Sequence, residues 1–181
     1  MIARRLPVLA LATSLAAGYS SAATLEKLSM DEMISQSTEI VRGRVTATGP
    51  ATRGSLLYTT AQVQVTERFK GPASPTVEVW IPGGRSGNLR QIFSGAPTLN
   101  PGGDYVLFLW AGKSGIRQVI GFSQGAFDVK LDDKGALQVT RAATSETMLD
   151  KSGHPVEDVP VKISLDDLRK RLHAAQQETK K

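Results

Sequence analysis

Apolar and polar residues alternate along much of the chain with a period of two. The run Glu39-Ile-Val-Arg-Gly-Arg-Val-Thr-Ala-Thr48 sets Val41, Gly43 and Val45 against Arg42, Arg44 and Thr46, which predicts a strand with one wet face. Gly49-Pro50 and Arg53-Gly54 are expected to bracket a turn or loop. From Leu57 to Arg68 the alternation resumes, with Thr59, Ala61, Val63 and Val65 on one side, and the two runs predict an antiparallel pair. A third strand follows over Thr76 to Ile81, where Val77, Val79 and Ile81 face together until Pro82-Gly83-Gly84 ends it.

Residues 82–100 then form a long, polar, glycine-rich stretch. It leads to Asn100-Pro101-Gly102-Gly103, in which Pro101 and Gly102 hold the central places of a type II turn. Asp104-Tyr-Val-Leu-Phe-Leu-Trp110 does not alternate, as expected of a strand buried on both faces at the centre of the fold. Shorter strands are predicted over residues 118–120, 126–131 and 136–140, the last two joined by a hairpin at Asp132-Asp-Lys-Gly135. Residues 141–161 show no firm period.

Two helices complete the pattern. Ser29 and Glu32 have capping-box spacing, Leu28 is placed to staple against Met33, and Asp31 and Glu32 suit the positive end of a helix that stops near Ser37. Towards the C-terminus Ser164 is the expected cap, Asp166 and Asp167 fill the first turn, and Leu165, Leu168 and Leu172 form an apolar stripe. Arg169, Lys170 and Arg171 are expected to lie towards the negative end of that helix. Seven or so short strands with peripheral helices and Gly/Pro turns predict a mainly β fold: a small closed or partly open OB-like barrel with a short N-terminal helix and a C-terminal helix.

The N-terminus changes this picture. Arg4 and Arg5 precede an apolar run from Leu6 to Gly18, and small residues follow at Ser20, Ser21, Ala22 and Ala23. This is the order of a signal peptide, and its apolar run is too short for a permanent membrane span. We therefore expect residues 1–23 to be removed by cleavage near Ala23, leaving residues 24–181 as one domain in the periplasm or outside the cell, with no integral membrane segment. Cleavage lowers the net charge from +5 to about +3, which bears on solubility more than on any particular partner. The chain has no cysteine, so in a compartment where disulfides form it relies on packing alone.

Candidate chemistry is sparse. The two histidines, His154 and His173, show no metal-ligand spacing, and the absence of cysteine leaves a transition metal only carboxylates from unrelated strands; we expect no metal and no cofactor. No Gly-x-Ser-x-Gly elbow occurs. Gly112-Lys113-Ser114 resembles the end of a phosphate loop, but Leu107 stands where its first glycine is required. Asp132-Asp133 and Asp166-Asp167 suit a hairpin and a helix start better than a pair of catalytic acids. Arg42, Arg44, Arg68 and Lys70 lie near Tyr58, Phe69 and Trp80, but export argues against nucleic acid as a ligand. The segment Pro82 to Asn100 is the best functional candidate, because long loops on a rigid frame commonly carry binding. Within it Arg85, Asn88 and Arg90 offer hydrogen bonds to a partner.

The order from Thr38 to Leu109, read as "EIVRGRV", "YTTAQVQVTERFKG", "VEVWIPGG" and "LNPGGDYVLFL", resembles the netrin-like and tissue-inhibitor-of-metalloproteinase modules. It is also similar to a group of uncharacterised exported bacterial proteins with the same pattern. The resemblance covers less than half of the expected mature chain and implies a partly open OB barrel. The inhibitors of that family ligate a target's zinc through an N-terminal cysteine held by disulfides; here the expected N-terminus is Thr24 and no disulfide is available to hold it. The resemblance thus carries the architecture and not the inhibitory mechanism. Taken together, we expect an exported, non-enzymatic binding module that recognises an envelope or secreted protein such as a protease; the alternative is an exported hydrolase with an unrecognised active site.

Overall fold

A computed structural model of the chain describes residues 23–113 and 115–178. Apart from Ala23, the expected signal peptide lies outside the described residues. In chain order the elements are β1 (Thr24–Glu26), α1 (Met30–Gln36), β2 (Glu39–Arg53), β3 (Leu56–Lys70), β4 (Thr76–Pro82), β5 (Gly84–Ser86), β6 (Leu89–Gln91), β7 (Asp104–Ala111) and β8 (Arg117–Val119). A 3-10 turn (Phe122–Gly125) follows, then β9 (Ala126–Leu131), β10 (Leu137–Arg141), β11 (Thr147–Leu149), β12 (Pro155–Val156), β13 (Val161–Ser164) and α2 (Leu165–Glu178).

The fold is mainly β, as the alternation predicts, with the two helices near the ends of the described chain. The main sheet runs β13-β10-β9-β7-β2-β3-β4, and β8 adds to β7 beside β9. The sheets do not close into a barrel. No ladder links β4 to β8 or to β13, so the sheet curls without closing. β4 and β8 meet only through side chains, with Val77, Val79 and Ile81 sharing an apolar cluster with Val119.

Strand β7 divides the interior. Tyr105, Leu107 and Leu109 enter the cluster lined by β2, β3, β4 and β8, whereas Val106 and Phe108 enter a second cluster beneath α1 and α2. A strand with core on both faces has no polar positions, which is why its sequence does not alternate. In the second cluster Phe108 meets Phe127 edge to face at 5.6 Å, and Leu165, Leu168 and Leu172 of α2 close it from outside. Each of these leucines is essentially fully buried and contributes about 1.5–3 kcal/mol by leaving water.

Local signals are realised with few changes. The Ser29–Glu32 capping box is complete. Asp132 Oδ1 accepts from the amides of Lys134 and Ala136, and so builds the turn of the β9–β10 hairpin. In the Asn100–Gly103 turn Gly102 takes φ 83°, and the Gly103 amide donates to the Asn100 carbonyl at 3.0 Å. Gly43 is required by close approach, since a Cβ there would lie 2.5 Å from the Gln64 carbonyl oxygen, next to a register shift between β2 and β3.

Two local expectations need correction, and one stretch without an expectation acquires structure. Gly49-Pro50 is not a turn: β2 continues to Arg53, with Pro50 opposite Thr59. β7 flanks β2 only from Glu39 to Arg44, so Pro50 sits on an edge and costs the ladder no donor. The basic residues of α2 are central in the helix rather than terminal, and they bind carboxylates instead of the helix dipole. Residues 141–161, which lack a period, carry β11 and β12, and β11 pairs in parallel with β1. The segment expected at the mature N-terminus is therefore held by strand pairing: Leu25 is buried, and Gln124 accepts from the Leu28 amide and donates to the Glu26 carbonyl.

Candidate functional site

Strand β4 ends where Gly83 and Gly84 adopt φ 92° and 138°, conformations that favour glycine, and this turns the chain into the β5–β6 hairpin. The stretch 82–100 is thus not wholly irregular. Its hairpin is clamped to the start of β3: the Gly83 amide donates to the Leu57 carbonyl at 2.8 Å, Thr59 Oγ1 donates to the Gly83 carbonyl at 3.0 Å, and the Leu57 amide donates to Gln91 Oε1 at 2.6 Å.

In this frame Arg85 and Arg90 are directly opposite one another across the two strands. Both are exposed and neither has a carboxylate partner among the described residues. Like charges in facing positions repel, so the pair does nothing for the hairpin itself. Asn88 lies at the exposed tip and does not line the adjoining groove. That groove has a volume of about 480 Å³, with Arg85 and Arg90 on one side and Phe93, Leu99 and Asn100 among its other walls. Leu89 and Ile92, 74% and 71% exposed, flank Arg90. Sequence reasoning passed over these two apolar residues; the available signal was that they lie in a polar stretch with no periodic partner.

Most other arginines are committed elsewhere. Arg42 grips Asp104 with a shortest contact of 2.6 Å, Arg68 and Arg117 both hold the buried carboxylate of Glu39, and Arg141 forks onto Asp158 at 2.6 and 2.9 Å. Lys70 donates to the carbonyls of Ile34 and Ser35, and burial draws its pKa down from the ordinary lysine value. Arg44 and Arg53 have no carboxylate partner among the described residues and stand apart on β2, opposite Gln64 and Leu56. Tyr58 packs edge to face on Trp80 at 5.5 Å.

Of the groups weighed for catalysis, Asp132 serves its turn, where the Ala136 amide, more than any other contact, lowers its pKa, and Asp166 and Asp167 bind Arg169 and Lys170. His154 is exposed, 3.6 Å from Asp150, and His173 is exposed on α2. Among the described residues no group of three or more His, Cys, Asp or Glu could hold a metal ion, and no helix is long and apolar enough to cross a membrane.

Fold and site together define a mainly β protein that projects a cationic and apolar hairpin beside a groove. Comparison of the chain with protein-family models, with curated proteins and with solved structures finds no match.

Proposed function

We propose that the chain is exported, loses its first 23 residues, and acts in the periplasm or outside the cell as a non-enzymatic binding module for an envelope or secreted protein such as a protease. The likeness to netrin-like modules belongs to this proposal and rests on the order of strand motifs from Thr38 to Leu109. One observation carries the functional part: two arginines with no carboxylate partner among the described residues face each other on a clamped hairpin, flanked by exposed Leu89 and Ile92. Exposed apolar residues next to arginine are a common composition at protein interfaces, and a guanidinium without an internal partner is free to take a carboxylate in two parallel hydrogen bonds.

Chemical cross-linking and pull-down from the native envelope fraction tests the assignment. The unmodified chain is expected to capture an acidic protein partner that Arg85→Ala/Arg90→Ala does not. Equal capture by the variant sinks the hairpin assignment, and turnover of a peptide or polymer by the purified chain sinks the non-enzymatic one. Intact-mass measurement on the native protein tests export, with a mature chain beginning near Thr24 expected and a full-length cytoplasmic species contradicting it.

A further inference from the structure

The groove beside the hairpin does not end at Pro82 and Pro97. Both residues also border a second cleft of about 200 Å³ on the seam where β4 meets β8 without a ladder. Its walls are aromatic: Trp80 from β4, Trp110 from the end of β7, and Phe122 from the 3-10 turn. Trp110 is 47% exposed although it continues the most buried strand of the fold, and its indole N–H has no partner among the described residues. Phe122 is the only non-glycine with positive φ among the described residues, at 58°, directly after Gly121 at 60°. A bulky residue held in the left-handed region is strained, and such strain is found where it places a side chain for use.

The chemistry of this cleft is selective. Gln118 is its only polar side chain apart from the indoles, and the Trp80 indole N–H is already spent on Glu78 at 2.7 Å. A sugar polymer needs many hydrogen-bonding groups, whereas a proline-containing peptide needs aromatic walls and one or two donors to its carbonyls. We infer that the aromatic cleft and the hairpin form one continuous site for an extended, proline-containing acidic peptide segment, with its apolar residues on Trp80, Trp110 and Phe122 and its carboxylates on Arg85 and Arg90. This inference rests on the binding role proposed above and supplies the class of ligand.

The test uses a fluorescein-labelled synthetic peptide in which a run of prolines is followed by a pair of glutamates, titrated with the mature chain while polarisation and tryptophan fluorescence are followed. Saturable binding is expected, weakened about tenfold or more by Trp110→Ala. Arg85→Ala/Arg90→Ala, replacement of the glutamates by glutamine, and added salt should each weaken it too. Phe122→Gly is a second cleft variant; it is expected to bind more weakly while its melting temperature holds or rises, because glycine relieves the backbone. A lowered melting temperature would make the ring structural and overturn its place in the site. Binding that is lost in the arginine variant but unchanged in both cleft variants overturns the cleft inference and leaves the hairpin assignment standing. Binding that is indifferent to the arginines removes both. Absence of saturable binding by the unmodified chain, or displacement of the peptide by an oligo-uronate that itself quenches Trp110, overturns the choice of a peptide ligand.

Discussion

The helix-covered side of the molecule and the β5–β6 hairpin use arginine in opposite ways. On the first, Arg169 spans Glu67 and Asp166, and Arg171 holds Asp31; each guanidinium ties together elements distant in sequence. On the second, Arg85 and Arg90 confront each other with no carboxylate between them. A charge that is paired inside the fold is spent on conformation, whereas two like charges kept in facing positions cost the free protein something and stay open to an anion of the kind proposed above. The contrast separates residues that hold the structure from residues available to a partner, a distinction that net charge alone does not make.

The strongest way to break this contrast is to remove a paired arginine. The Arg141–Asp158 bridge is the most buried of them, with side chains 9% and 2% exposed. Arg141→Ala leaves the Thr144 amide as the one hydrogen-bond donor to Asp158 among the described residues, with Lys27 as a more distant charge, and should cost about 3 kcal/mol in chemical denaturation. A loss no larger than that of an exposed substitution would show the pairing to be incidental.

Acid should act on the same side of the molecule with a smaller effect. The hydrogen bond from Arg141 lowers the pKa of Asp158, and that from Arg171 lowers the pKa of Asp31. Lys151 and the Ser29 cap together draw Glu32 down to about 2. Carboxylates with depressed folded-state values contribute stability that is complete above their ordinary values, near 4, and is lost as pH falls through the folded values. The melting temperature is therefore expected to hold between about pH 7 and pH 5 and to fall below about pH 4. Asp158→Asn should lower it at neutral pH yet flatten its acid dependence. A melting temperature that rises on acidification contradicts the assignment.

The smallest effect on stability belongs to the hairpin. Arg85→Ala/Arg90→Ala should change the unfolding free energy by no more than about 0.5 kcal/mol, with relief of repulsion tending to stabilise, while abolishing partner capture. If the variant is instead clearly destabilised, the two arginines are structural and the contrast disappears.

Much of the frame was legible from residue order. Val77, Val79 and Ile81 alternate with polar neighbours and are the inward face of β4; Ser29 with Glu32, and Ser164 with Asp167, mark their helix starts through hydrogen bonds spanning three residues. The site was legible only in part. Arg85 and Arg90 stood out in a polar stretch, but their opposition depends on the β5–β6 register, and Asn88 falls outside the groove. Trp110 and Phe122 gave no signal, because an aromatic residue at the end of an apolar strand and another after a glycine look like core, and their exposure and backbone angle follow from packing.

By itself the sequence determined what acts over a few residues: the period-two strands, the unalternating β7, the capping motifs and the Asp132 turn. Such features rest on backbone geometry and short hydrogen bonds, which are written in adjacent residue types. Only the tertiary structure decided that Thr24–Glu26 pairs with Thr147–Leu149, that Arg169 finds Glu67 and Arg171 finds Asp31, and that β4 and β8 meet without closing the sheet beside the aromatic cleft. These choices join positions far apart along the chain. No local period encodes them, and they are settled by which surfaces can be buried together once the strands have formed.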